Sequence, residues 1–304
     1  MLDCDQYLLP QSLDEAFDLI ATHGSASQLV AGATDLLPWA REGRAGDVHI
    51  PVLIDITRIP DLNGVSKEGN RIRLGAATVF QKFLKDPILR EHAPVMPHVA
   101  VWFADDQLRQ SATIGGNLVN ASPAADGTPG LMALDAELVL FSRAGGERRV
   151  SVAAFPTGPS TSVLKDDELI IAVEFDSASG YGASFEKVGH RRSLVISTVC
   201  AATALKLDAS GEKFEDVRIA LAGIGPVPVR LSECEDALRG KPVTAAVIEA
   251  AANLPLDRVQ SRTRQDYRRE VVVNFVRRGI VDALASVGCE IEPSETRELE
   301  TANG

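Results

Sequence analysis

Cysteine is scarce in this chain, and its few copies are far apart. The 304 residues include only four, Cys4, Cys200, Cys234 and Cys289, with no CxxC pair and no histidine at ligand spacing. Disulfide frameworks need many cysteines in a short chain, and zinc or iron–sulfur sites need thiolates at short, regular intervals. We therefore expect neither disulfides nor a metal site on this chain, so any metal chemistry has to come from elsewhere.

Basic residues and long apolar runs are also in short supply. The 31 Lys and Arg are outnumbered by 42 Asp and Glu, for a formal net charge of -11. Neutralising nucleic-acid phosphates needs a clustered basic excess, and a membrane span needs roughly 18 consecutive apolar residues. The opening MLDCDQYLLP carries acids where a secretory signal carries basic residues. These features exclude a general nucleic-acid binder, predict no membrane span and favour a cytoplasmic location.

Familiar catalytic motifs are missing as well. The sequence contains no GxxxxGK[ST] loop, no GxGxxG after a strand and no GxSxG elbow, and its five histidines are scattered. We therefore identify no catalytic acid, base or nucleophile on this chain. If the protein takes part in catalysis, a bound cofactor carries the reaction.

The length and the 45% hydrophobic content are enough for two domains with cores of their own. A capping box at Ser12 and Glu15 predicts a helix that starts at Leu13 and ends near Gly24. The polar segment 176–182 is the best domain boundary, and we expect the acidic residues 289–304 to be disordered. Hydrophobic patterns predict strands over 28–31, 52–56, 71–76, 137–141, 149–152, 169–175, 201–206 and 217–223, and helices over 80–92, 232–238, 245–252 and 266–284.

Two glycine-containing turns are the main candidates for a binding site. The first, Gly32-Ala33-Thr34-Asp35, follows a short apolar strand, and the second spans the small residues of 112–127. A pyrophosphate is bound by main-chain N–H groups at close range, which requires small side chains and no basic residues. From their spacing alone, the two turns are either such a cradle or ordinary tight turns.

These residues resemble the FAD-binding medium subunits of molybdenum hydroxylases, such as xanthine, carbon monoxide and nicotine dehydrogenases. LVAGATDL looks like the first flavin-binding loop of that family, and TIGGNLVNASPAAD agrees with the second loop at fourteen successive positions. PQSLDEAFDLI, the segment FEK followed by Arg191-Arg192, GIGPVPVR and Tyr267-Arg268 resemble family segments in the same order. The resemblance covers roughly residues 5 to 282.

The resemblance implies an α+β protein of the PCMH type. Its FAD-binding domain would occupy residues 1–175, as two α/β subdomains of about 1–55 and 56–175. A smaller carboxy-terminal domain with an antiparallel sheet and helices would occupy 176–288. The implied FAD-binding residues are Leu29, Val30, Ala31, Gly32, Ala33, Thr34, Asp35, Leu36, Phe103, Thr113, Gly115, Gly116, Asn117, Ser122, Asp126, Leu164 and Lys187.

Two of these positions carry specific expectations. The family usually has Gly or Asn where this chain has Ala33, which indicates a positive φ that would cost Ala about 1–2 kcal/mol. Lys187 matches a lysine beside the isoalloxazine, where an ammonium would stabilise the negative charge of the reduced ring and raise its potential.

The function implied by the resemblance is electron transfer. Substrate would be oxidised at a large molybdopterin subunit, and electrons would pass through [2Fe–2S] clusters on a small subunit to FAD on this chain. The assembly would be a dimer of heterotrimers. NAD, oxygen, a quinone and a carrier protein all stay open as the final acceptor. Two alternatives are a free-standing FAD-dependent oxidoreductase acting on a small molecule and a non-catalytic assembly protein with a decayed flavin site.

Overall fold

The computed structural model describes residues 2–42, 48–191, 193–261 and 263–291. The amino-terminal elements form a parallel three-stranded sheet in the order β2-β5-β3, beside a two-stranded pair of β1 and β4. The elements are β1 (Leu2–Asp3), β2 (Gln6–Leu8), α1 (Leu13–His23), β3 (Ser27–Val30), α2 (Leu36–Arg41), β4 (Val48–His49) and β5 (Val52–Asp55).

Helix α1 begins and ends where the sequence predicts. Ser12 Oγ accepts a hydrogen bond from the Glu15 N–H at 3.1 Å, and the Glu15 carboxylate accepts one from the Gln11 N–H at 2.7 Å. Gly24 ends the helix at a φ of 51°. The helix buries Ala16 and Phe17 in a core shared with the next sheet, so the two sheets are packed together.

The middle of the chain forms an antiparallel sheet of five strands, in the order β6-β7-β12-β8-β9. Six short helices separate the second and third of its strands along the chain. The elements are β6 (Val65–Glu68), β7 (Arg71–Gly75), α3 (Lys82–Lys85), α4 (Pro87–His92), α5 (Val95–Trp102), α6 (Asp106–Arg109), α7 (Ile114–Val119), α8 (Gly127–Ala133), β8 (Glu137–Ser142), β9 (Gly146–Ser151), β10 (Pro156–Gly158), β11 (Thr161–Ser162) and β12 (Leu169–Asp176).

The single helix predicted over 80–92 is wrong. The structure has α3 and α4 instead, separated by an extended Asp86 with φ -73° and ψ 124°. The residue before a proline is sterically driven out of the helical region, and Pro87 follows directly. The Asp86 carboxylate then caps α4 by accepting from the N–H groups of Ile88 and Leu89.

The carboxy-terminal elements form an antiparallel sheet, β13-β14-β15-β16, covered on one face by the long helix α11. The opposite face is rich in alanine and packs into the core of the middle group. Small side chains let α5 and α8 approach this face closely. The elements are β13 (Gly182–Val188), β14 (Val199–Leu207), β15 (Phe214–Ala222), β16 (Val229–Arg230), α9 (Ser232–Leu238), α10 (Ala245–Ala252) and α11 (Gln265–Ser286).

The end of the chain is only partly within the described ranges. Cys289 and Ile291, which the sequence assigns to a disordered tail, pack against the α11 core, while residues 292–304 lie outside the described residues. All four cysteines are free thiols. No helix in the described ranges has both the length and the apolar character to cross a membrane.

An ion pair between a partly exposed arginine and a buried glutamate anchors the segment that leads into β12. Arg148 donates from two nitrogens to the two oxygens of Glu168, both at 2.6 Å, and also donates to the Val163 carbonyl at 2.9 Å. The hydrogen bonds from Arg148 outweigh burial and lower the pKa of Glu168 from 4.5 to about 2. The ionised carboxylate is therefore the form that the fold stabilises.

We predict that Glu168→Gln lowers the free energy of unfolding at pH 7 by about 2 kcal/mol, the value of a charge-assisted pair. Because the folded pKa is depressed, the wild-type advantage should be constant above about pH 4.5 and disappear as the pH falls towards 2. Urea unfolding of both proteins across this range measures it, with the neighbouring Asp166→Asn as control. A difference that does not change with pH would contradict the assignment.

Candidate functional site

The first glycine turn lies at the carboxyl edge of the parallel sheet. It leaves β3 after Val30 and enters α2 at Leu36, with Ala33 at a φ of 54°. In the described part of the chain the N–H groups of Gly32, Ala33, Thr34 and Asp35 donate to no protein atom. Consecutive free N–H groups at this edge of a parallel sheet are suited to an anion.

Gly32 brings the two turns into direct main-chain contact. A Cβ at this position would lie 2.0 Å from the carbonyl oxygen of Ser111, immediately before the second turn. No side chain fits in this space, so only glycine allows the approach. The two turns that the sequence singles out therefore form one site.

The second turn differs from the sequence expectation. Residues 114–119 form α7, capped by Thr113, whose Oγ1 accepts from the Gly116 N–H at 3.1 Å. The N–H groups of Ile114 and Gly115 donate to the carbonyls of Thr78 and Ala76 at 3.0 and 2.8 Å. The N–H groups of Ile114, Gly115 and Gly116 therefore have protein partners and are not available to a ligand.

Asn117 provides the test of whether a ligand fits here. Its Oδ1 is buried and has no hydrogen-bond partner. A buried acceptor without a partner costs roughly 1–3 kcal/mol, so it is normally satisfied by a donor on a ligand or by water. A Cβ on Gly127 would lie 2.6 Å from this oxygen and 2.9 Å from Phe80, so the Gly127 backbone packs closely against both residues. The residues therefore fit a ligand that carries a hydrogen-bond donor.

An aromatic pair lies beside Asn117. Phe103 stacks on Phe80 with ring centroids 3.9 Å apart and an interplanar angle of 5°. Phe80 is fully buried, whereas Phe103 is only partly buried. One face of the Phe103 ring, which the resemblance implies as a cofactor contact, therefore packs against the buried Phe80 ring.

Asp126 and Lys187 are paired with each other. Lys187 Nζ donates to Asp126 Oδ2 at 2.5 Å, and Ser197 Oγ donates to the other carboxylate oxygen at 2.5 Å. Only 3% of the lysine side chain and 8% of the aspartate side chain are exposed. Lys187 also donates to the Trp102 carbonyl at 3.4 Å. The charge expected to act on a flavin is therefore balanced by a carboxylate.

A buried thiol adjoins this pair. Burial, together with the nearby Asp126 carboxylate, holds the pKa of Cys200 well above its usual range. Cys200 is therefore a neutral thiol that adds no charge to the pair.

Ser122 and Leu164, two further predicted residues, lie near the end of the second turn and in the segment beside it. Ser122 Oγ accepts from the Ala124 N–H at 3.3 Å, and the preceding Ala121 carbonyl accepts from Ser160 N–H at 3.1 Å. Leu164, four residues after Ser160, packs against the core of the middle group. These contacts place the 160–164 segment next to the second turn.

Sequence reasoning missed the contacts that three residues make around the second turn. Ser197 carries no pattern, because a lone serine in a polar segment is ordinary. Gly223 and Arg268 lie in segments that the resemblance identifies, but their roles depend on contacts between distant parts of the chain.

Comparisons with known proteins agree with this geometry. Residues 3–175 match the family described as "FAD binding domain in molybdopterin dehydrogenase", and residues 184–283 match "CO dehydrogenase flavoprotein C-terminal domain". This chain belongs to the family of FAD-binding domains in molybdopterin dehydrogenases. The predictions of the family, the α+β fold class, FAD as cofactor and an oxidoreductase subunit are confirmed.

Individual relatives align over nearly their full length. The chain is 30% identical to the carbon monoxide dehydrogenase medium chain of Hydrogenophaga pseudoflava, over 92% of this chain and 97% of the relative. It is 29% identical to a putative xanthine dehydrogenase FAD-binding subunit of Escherichia coli K12, over 96% of this chain and 100% of that relative. A solved carbon monoxide dehydrogenase from H. pseudoflava, lacking the Mo-pyranopterin moiety, superimposes on this chain with a TM-score of 0.84. The match is 30% identical and covers 92% of this chain and 97% of the solved chain.

We predict that Ala33→Gly stabilises the protein by about 0.5–1 kcal/mol, because glycine adopts the observed positive φ without strain. The main-chain N–H is unchanged, so ligand binding should be retained. Urea unfolding measures the effect. Ala31→Gly, at a residue without positive φ, should instead destabilise, and a loss of stability in both variants would contradict the strain at Ala33.

We predict that Lys187→Met lowers the free energy of unfolding by about 3–5 kcal/mol, because it leaves the buried Asp126 carboxylate without a counter-charge. Adding Asp126→Asn should restore part of the loss, so the two effects should not be additive. Denaturant unfolding at pH 7 provides the values. The control is Lys206→Met, which breaks the exposed pair with Glu215 and should cost less than about 1 kcal/mol.

Proposed function

We propose that this chain is the FAD-binding electron-transfer subunit of a heterotrimeric molybdenum hydroxylase. Its partners would be a small subunit with [2Fe–2S] clusters and a large molybdopterin subunit, arranged as a dimer of heterotrimers. FAD, when bound, supplies a carrier that takes up electrons from the clusters and releases them to an external acceptor. The names of the relatives support this proposal, since they are medium or FAD-binding chains of dehydrogenases.

The row of free N–H groups in the first turn carries the proposal. Gly32, Ala33, Thr34 and Asp35 would bind the pyrophosphate through the main chain, which suits a protein with a net charge of -11. The backbone contact between Gly32 and Ser111 would hold this turn against the second one. Leu29, Val30, Ala31 and Leu36 would set the position of the turn in the sheet and at the start of α2.

The other walls would orient the rest of the cofactor. Asn117 Oδ1 would accept a hydrogen bond from it, and Phe103 would cover an aromatic ring with its free face. Thr113 would cap α7, and Gly115 and Gly116, whose N–H groups have protein acceptors, would shape its first turn. Ser122, Asp126, Leu164 and Lys187 would line the remaining wall and exclude water.

The domain limits and location are part of the same proposal. An FAD-binding domain of residues 1–175, with subdomains of about 1–55 and 56–175, is supported by sheets that end at Asp55 and Asp176. The carboxy-terminal domain would follow as 176–288. The proposed location is the cytoplasm.

Coexpression with candidate small and large subunits, followed by purification through a tag on this chain, tests the proposal. We expect a yellow protein whose visible spectrum contains bound flavin, with iron, molybdenum and both partners in the same fraction. A colourless chain would overturn the flavin assignment. A yellow chain that never retains the partners would favour the free-standing oxidoreductase.

Gly32→Ala gives a matched test of the site itself. The added Cβ meets the Ser111 carbonyl at 2.0 Å, so the two turns must separate and the variant should purify without flavin. Gly225→Ala is the control, since its Cβ would have its nearest contact at 3.8 Å. Loss of flavin from both variants, or from neither, would contradict the placement of the cofactor at Gly32.

A further inference from the structure

The segment that ends the second turn is held by the carboxy-terminal sheet. The Pro123 carbonyl accepts from the Gly223 N–H at 2.7 Å, and the two oxygens of Asp126 accept from Lys187 and Ser197. These bonds join residues 61 to about 100 positions apart along the chain. The shape of residues 122–126 therefore depends on where the carboxy-terminal strands lie.

Arg268 fixes the ends of those strands. From α11 its guanidinium donates to the carbonyls of Thr198 and Gly223, and to that of Thr263 at 3.0 Å. Within the described ranges it pairs with no carboxylate, so main-chain carbonyls alone compensate its charge. A planar guanidinium with several fixed donors can hold separate carbonyls at a set spacing.

The two contacts of Arg268 adjoin the two contacts on the second turn. Thr198 directly follows Ser197, the donor to Asp126, and Gly223 is itself the donor to Pro123. Gly223 has a φ of 81°, and a Cβ there would lie 2.4 Å from the Thr198 carbonyl, so the two strand ends are in close contact. Arg268 thus acts on residues 122–126 through Thr198 and Gly223.

We propose that Ser197 and Arg268 are positioning residues for the flavin site, which hold residues 122–126 in their binding shape from the carboxy-terminal domain. The inference rests on the proposed function, because it takes FAD as the ligand of the second turn. The inference goes beyond the proposed function because FAD affinity would then depend on Arg268 in α11 and on Ser197 in the segment before β14.

Titration of the flavin-free full chain with FAD tests the proposal, using the quenching of FAD fluorescence to obtain Kd. Ser197→Ala and Arg268→Met should each raise Kd about tenfold, the change that corresponds to 1.4 kcal/mol or roughly one hydrogen bond. Ser197→Thr keeps the hydroxyl and should bind as the wild type does. Arg268→Lys keeps the charge but cannot reach three carbonyls, so it should bind as weakly as Arg268→Met.

Two control variants and a second readout separate positioning from general destabilisation. Ser210→Ala removes an exposed hydroxyl, and Arg269→Met removes another arginine of α11, which pairs with Asp266; both should leave Kd unchanged. Hydrogen exchange of the flavin-free proteins should rise in a peptide spanning 120–128 for Ser197→Ala and Arg268→Met, and should not rise for the controls.

The outcomes distinguish this inference from the proposed function. If the wild type does not bind FAD, the proposed function itself fails. If the wild type binds and all variants bind equally well, only the positioning role fails. If Arg268→Lys binds FAD normally while Arg268→Met does not, the effect of Arg268 on FAD affinity comes from its charge and not from positioning. Should Arg268→Met fail to fold, Ser197→Ala decides, because it removes a single oxygen.

Discussion

The buried pair of Lys187 and Asp126 constrains how the carboxy-terminal sheet sits on the rest of the protein. Two charges can leave water only when each has a close partner, and here the ammonium comes from β13 and the carboxylate from the residue before α8. A small shift between the two would leave both charges without a counter-charge. The alanine-rich face of β13, β14 and β15 makes the necessary approach possible, because bulkier side chains would hold α8 away. Charge and packing therefore specify the same arrangement.

The two glycine turns contribute in different ways. The first keeps its N–H groups free, and Ala33 adopts an unfavourable φ to do so, which is strain retained at a binding site. In the second, the N–H groups of Ile114 and Gly115 donate to the carbonyls of Thr78 and Ala76 as α7 begins, and Asn117 adds an unpartnered side-chain oxygen. One turn thus offers main-chain donors, while the other supplies a rigid surface with a single acceptor.

Local signals predicted local structure well. The capping box placed the start of α1, and the small residues of 112–126 identified the second turn. The apolar runs placed the predicted strands within a few residues of observed ones, but other observed strands, such as β2 and β13, were not predicted. The helix predicted over 80–92 failed because hydrophobic periodicity ignores the effect of Pro87 on Asp86. Lys187 and Asp126 were both found by resemblance, but their pairing was not, since an ion pair across 61 positions leaves no pattern in a single sequence. The contacts of Ser197 and Arg268 were missed for the same reason, because they exist only after the domains have packed.

Recognition through main-chain N–H groups has a consequence for sequence variation. The donors of the first turn belong to the backbone, so side chains at 33, 34 and 35 can change without removing one of them. Two kinds of substitution would disrupt the turn. A proline would delete an N–H donor, and any side chain at Gly32 would clash with the Ser111 carbonyl. This turn should therefore tolerate variety at most positions, and Ala33, a non-glycine residue at a φ of 54°, is an instance of that tolerance.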